Sequence, residues 1–97
     1  VLEKIGVFSI VLECVEQTLS KEITNEIKIP TIGIGSSHHC DGQVLVFDDL
    51  MYFNPEQKIP KFVKVYANFF KTSKKTVLQF NKDVKTGKFP SKKQTYK

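Results

Sequence analysis

Apolar and polar positions divide the chain into alternating extended and helical segments. Val7 to Leu12 is an apolar run rich in β-branched residues, bounded by Gly6 and the polar Glu13, and it predicts a strand. Val15, Leu19, Ile23 and Ile27 follow at a spacing of four, the stripe of an amphipathic helix. Lys28-Ile29-Pro30 ends that stripe, because proline disfavours helix for the residue before it. Thr31 to Ile34 predicts a second strand. Strand, helix, strand is the unit of a right-handed crossover with parallel pairing.

Gly35 to Gly42 is a polar loop, and Gln43 to Phe53 predicts a short helix or turn, ended by Asn54-Pro55-Glu56. A helix is expected from Pro60, carrying Phe62, Val63, Tyr66, Phe69 and Phe70. A further helix, capped by Thr72 or Ser73, would carry Val77, Leu78, Phe80 and Val84 until Gly87 closes it. Ahead of the first strand, Val1 to Gly6 has the form of a last helical turn stopped by glycine, so the chain is expected to be a fragment. Two parallel strands alone leave both outer edges unpaired. The order of elements is that in which a (βα)₈ barrel finishes, with the rest of its ~250 residues upstream. The expected class is therefore α/β. Residues 1–97 would be the carboxyl-terminal portion of a single (βα)₈ TIM barrel domain, its last two parallel strands with their following helices.

Charge changes this picture little. Residues 1–57 hold three lysines against nine acids, whereas residues 58–97 hold twelve lysines against Asp83 alone. All the cations are lysines, so the bidentate arginine contacts favoured in nucleic-acid readout are unavailable. The lysines are spaced through amphipathic helices, as on a solvated face over a core-facing stripe. No apolar run reaches the ~18 residues of a membrane span, and no secretory signal is visible. Two cysteines, Cys14 and Cys40, make no disulfide framework and fit a reduced cytoplasmic pair.

Candidate chemistry centres on Glu13, the carboxylate that ends the first apolar run. Barrels place their active sites at the carboxyl ends of strands. Side chains alternate along a strand, so Val7, Ser9, Val11 and Glu13 share one face, and Thr31, Gly33 and Gly35 share another. With the large residues turned to the helices, Glu13 would enter the barrel mouth beside a wall of glycine. An apolar setting there would raise its pKa, as a general base near neutral pH requires. Glu13 could equally cap the following helix or pair with a lysine at the rim. His38-His39-Cys40-Asp41 resembles a metal cluster only superficially, since four sequential side chains diverge, and a solvated loop is expected. Asp48-Asp49 is expected as an exposed helix pair rather than a magnesium site.

At these residues the sequence resembles the ketopantoate hydroxymethyltransferase family. The matching blocks are Val11-Leu12-Glu13-Cys14-Val15, Ile29 to Gly35, Cys40 to Val46, Pro60 to Lys64 and Gly87-Lys88-Phe89-Pro90, in order over nearly the whole chain. The resemblance implies a (βα)₈ barrel of pantothenate biosynthesis. Such an enzyme transfers a hydroxymethyl group from 5,10-methylenetetrahydrofolate to 3-methyl-2-oxobutanoate, giving 2-dehydropantoate. It further implies that Glu13 takes the proton from the keto acid, which is chelated by Mg2+. The metal ligands would lie on earlier strands, so the ninety-seven residues alone should be inactive. The implied partners are the small keto acid and folate, with no nucleic acid and no membrane, in a cytoplasmic homo-oligomer. The sequence departs from the family pattern at Glu16, where proline is usual, and at Ser36-Ser37, where the strand-end motif continues alanine-glycine. A positive φ at Ser37 would be resisted by its side chain. The tail also departs, with Lys93-Gln94-Thr95-Tyr96 in place of an acidic-histidine-serine-phenylalanine ending. The competing readings are another carbon–carbon bond enzyme on the same barrel and a basic helical module for nucleic acid or an acidic partner.

Overall fold

A computed structural model describes residues 1–96. After a 3-10 turn at Glu3–Ile5, the elements are β1 (Ile10–Glu13), α1 (Gln17–Glu26), β2 (Thr31–Ile34), β3 (Gly42–Gln43), α2 (Phe47–Met51) and α3 (Phe69–Lys85). Gly6, at φ 91°, stops the first turn as the glycine pattern anticipates. The strands form one sheet in the order β1-β2-β3, both pairings parallel. The fold is thus mixed α/β with a parallel sheet.

β1 is shorter than its apolar run. Its ladder opens where the Ile10 N–H donates to the Pro30 carbonyl at 3.0 Å, and the Pro30 nitrogen carries no hydrogen to extend the pairing further back. A third strand, Gly42–Gln43, joins the two expected ones, with Ile32 paired to Gly42 and Gly33 to Gln43. Two residues give no periodicity, which is why the pattern reads there as loop and helix.

The register also corrects the expected faces. Leu12 lies opposite Gly33 and Glu13 opposite Ile34, so Glu13 shares its face with Ile32 and Ile34 rather than with the glycines. The small residues instead lie under α1. There the Thr24 and Thr31 hydroxyls meet at 2.9 Å, and Ser20 and Thr31 are wholly buried. Gly33 serves the return segment 35–41, which crosses this face. A Cβ on Gly33 would stand 3.1 Å from the Cys40 Sγ and 3.0 Å from the Gln43 side chain. Helix and return loop pack close because the strand beneath them is nearly bare.

Residues 60–68 are not helical, although their aromatic spacing suggests it. Backbone N–H groups there are satisfied elsewhere: the Tyr66 N–H donates to the Leu50 carbonyl at 2.9 Å and the Ala67 N–H to the same carbonyl at 3.4 Å. One helix, α3, replaces the two expected. Asn68 caps it, its Oδ1 accepting from the Lys71 N–H at 2.9 Å. At the other end Gly87, φ 69°, closes the helix in a Schellman arrangement, with the Lys88 N–H on the Asp83 carbonyl at 2.8 Å and the Gly87 N–H on the Val84 carbonyl at 3.2 Å. Phe53 stacks near Phe69 at 4.5 Å between ring centres and joins α2 to the start of α3.

The chain does not close around a core of its own. Its radius of gyration is 22.4 Å, against about 12.5 Å for a compact domain of this length. The buried apolar side chains among the described residues are Leu12 and Cys40. Val11 on the Glu13 face and Val77, Phe80 and Val84 on α3 remain exposed. No described helix is long and apolar enough to cross a membrane.

Candidate functional site

Glu13 is the last residue of β1 and stands at the carboxyl end of the sheet, on the face turned away from α1. Val11, Ile32 and Ile34 give that face its apolar character. Glu13 itself is exposed, so the apolar enclosure expected of it is supplied from one side only.

The backbone around Glu13 is held firmly. The Cys14 N–H donates to the Ile34 carbonyl at 2.9 Å, the Val15 N–H to the Ser36 Oγ at 3.1 Å, and the Ser36 hydroxyl to the Leu12 carbonyl at 2.6 Å. Between these bonds Cys14 adopts φ 53°, a left-handed conformation that costs a non-glycine residue about 1–2 kcal/mol. The neighbouring hydrogen bonds over-determine that turn, the condition under which such strain persists. Glu13 therefore sits on a rigid strand end, which is where a reacting carboxylate needs to be.

Glu16 has a different task. Its carboxylate accepts from the Leu19 N–H at 3.0 Å and caps α1. Backbone N–H groups of Thr18 and Leu19 hold its carboxyl below the ordinary 4.5. The capping role open to Glu13 on sequence grounds is thus filled by Glu16.

The four residues resembling a metal cluster go separate ways. The His38 and His39 rings lie 4.0 Å apart, and Cys40 is buried against Gly33. The Asp41 Oδ2 accepts from the Thr31 N–H at 2.8 Å and from its hydroxyl at 3.2 Å, at the opposite end of β2 from Glu13. Desolvation, then the charges of His38 and Lys21, lowers the His39 pKa. Among the described residues no group of three or more histidines, cysteines or acids could hold a metal ion. Asp48 and Asp49 occupy the first turn of α2, Asp48 exposed and Asp49 half-buried. Cys14 and Cys40 are both free.

Gly35, not Ser37, carries the positive φ at the end of β2, at 64°. A Cβ there would lie 2.8 Å from the Phe62 Cβ, so Gly35 admits Phe62 to the strand ends. Ser37 is buried and polar-bonded: its Oγ accepts from the His39 N–H at 3.1 Å, and its carbonyl from the Gln43 Nε2 at 2.7 Å. The loss of a glycine at Ser37 therefore leaves the loop intact. A cleft of about 670 Å³ opens here, with Cys14, Gln17, His38, Gln43, Lys61 and Phe62 among its walls. A cleft of about 740 Å³ along α3 and Phe89 shares no lining residue with it and has Asp83 as its one acid. Ser36, Lys61 and Phe62 carry no individual signal in the sequence, because their approach to the strand ends is entirely tertiary.

Comparison with known proteins gives the family. A family model described as ketopantoate hydroxymethyltransferase matches residues 1–92. The chain is similar to the 3-methyl-2-oxobutanoate hydroxymethyltransferase of Pelagibacter ubique, 58% identical over 95 residues, which are 98% of this chain and 36% of that protein. The enzyme of the same name from Thermosipho melanesiensis is 54% identical over 96 residues, 99% of this chain and 36% of that protein. That from Clostridium botulinum is 48% identical over 97 residues, 100% of this chain and 35% of that protein. The chain thus spans about 36% of the length of the relatives it matches.

Proposed function

The chain belongs to the ketopantoate hydroxymethyltransferase family, and we propose from this that a protein of family length carrying it makes 2-dehydropantoate. The substrates would be 3-methyl-2-oxobutanoate and 5,10-methylenetetrahydrofolate. Residues 1–97 would form the carboxyl-terminal portion of a single (βα)₈ barrel, whose earlier strands cover the apolar face bearing Val11, Glu13, Ile32 and Ile34. The exposure of that face and the elongated shape of the chain support the reading.

The observation that carries it is the position of Glu13. A carboxylate ends a parallel strand, on the face opposite the covering helix, with the backbone on both sides hydrogen-bonded to the next strand end. Glu13 would remove the proton from the third carbon of the keto acid. The electrons of that carbon–hydrogen bond form the enolate, whose carbon bonds the one-carbon unit; water supplies the hydroxyl oxygen and tetrahydrofolate leaves. A positioned base contributes typically ~10²- to 10⁴-fold.

The magnesium ion implied by the resemblance finds no fitting set of side chains among the described residues. Its ligands would belong to the rest of the family-length protein, and the role of Glu13 is derived without it. By the same reasoning the ninety-seven residues alone would give no turnover. The proposal extends to a homo-oligomer in the cytoplasm, a compartment in which free Cys14 and Cys40 would stay reduced.

The test is Glu13→Gln in the family-length protein, assayed for ketopantoate. Glutamine keeps shape and loses basicity, so the rate should fall by ~10²-fold or more. A loss below about tenfold excludes Glu13 as a general base of ordinary strength.

A further inference from the structure

We draw no further inference here: the strongest candidate, the exposed apolar stripe of α3 with the groove it forms beside Phe89, carries nothing because nothing in the structure shows what covers it.

Discussion

Ser36 and Leu12 meet across the ends of two parallel strands: the Ser36 hydroxyl donates to the Leu12 carbonyl at 2.6 Å while accepting from the Val15 N–H at 3.1 Å. One side chain thus brackets Glu13 and Cys14, and the left-handed turn at Cys14 persists inside that bracket. Ser36→Ala removes both bonds and should cost the family-length protein about 1–2 kcal/mol, read from urea denaturation. The Cys14 N–H still holds the Ile34 carbonyl, so kcat should fall by less than about tenfold. A larger loss would make Ser36 a principal support of the proposed base.

Gly35 and Gly6 separate two reasons for glycine. Both have positive φ, 64° and 91°, but a Cβ at Gly35 would lie 2.8 Å from Phe62, while one at Gly6 would meet nothing within 4 Å. Gly6→Ala should therefore show the backbone cost alone, about 1 kcal/mol. Gly35→Ala should cost about 2–3 kcal/mol and enlarge or distort the strand-end cleft as Phe62 moves. Equal melting shifts for the two variants would mean that Phe62 yields freely.

Local chemistry made much of this legible in the sequence. The bounds of β2 and the helical stripe of α1 follow from residue types. So do the stops at Gly6 and Gly87 and the carboxylate ending β1. Alternation also sorted each strand correctly, with Val11 beside Glu13 and Thr31 beside Gly33. What it left open was which face of β1 meets which face of β2. That depends on register, and the reversal followed because Ser20, Thr24 and the return loop need small residues beneath them. The segment 60–68 misled for a similar reason: aromatic spacing fits a helix, but its Tyr66 and Ala67 N–H groups are taken by the Leu50 carbonyl. The lysine-rich α3 could be recognised as amphipathic, and its stripe stays largely exposed, with Phe80 meeting Phe89 at 5.4 Å between ring centres.

Two groups give the stability a pH dependence with separable windows. The Glu16 carboxyl lies below its ordinary 4.5 because the Thr18 and Leu19 N–H groups favour its charged form. Its contribution is therefore complete above the unfolded value and is lost as pH falls through the folded one. His39 is also lowered, by desolvation and then by His38 and Lys21. Protonation there favours the unfolded chain, so stability falls as pH drops from its ordinary 6.5 through the folded value. Glu16→Gln should flatten the acid limb and leave the His39 window in place; His39→Gln should do the reverse. Melting temperature against pH for the three proteins is the measurement.

Thr31 joins three segments through one buried hydroxyl. Its Oγ1 lies 2.9 Å from the Thr24 Oγ1, donates to the Asp41 Oδ2 at 3.2 Å and accepts from the Asp41 N–H at 3.2 Å, with the residue wholly buried. α1, the start of β2 and the approach to β3 are tied at this point. It lies at the amino-terminal end of the strands, opposite the end that carries Glu13. Thr31→Val preserves shape and removes the hydroxyl, leaving the Asp41 N–H without its partner while the Thr24 hydroxyl keeps its bond to the Ser20 carbonyl at 2.8 Å. The expected cost is about 1–3 kcal/mol, with KM for both proposed substrates unchanged within about twofold. Stability unaffected by Thr31→Val would mean that water replaces the hydroxyl at no cost. A changed KM would mean that this end of the sheet communicates with the strand-end cleft.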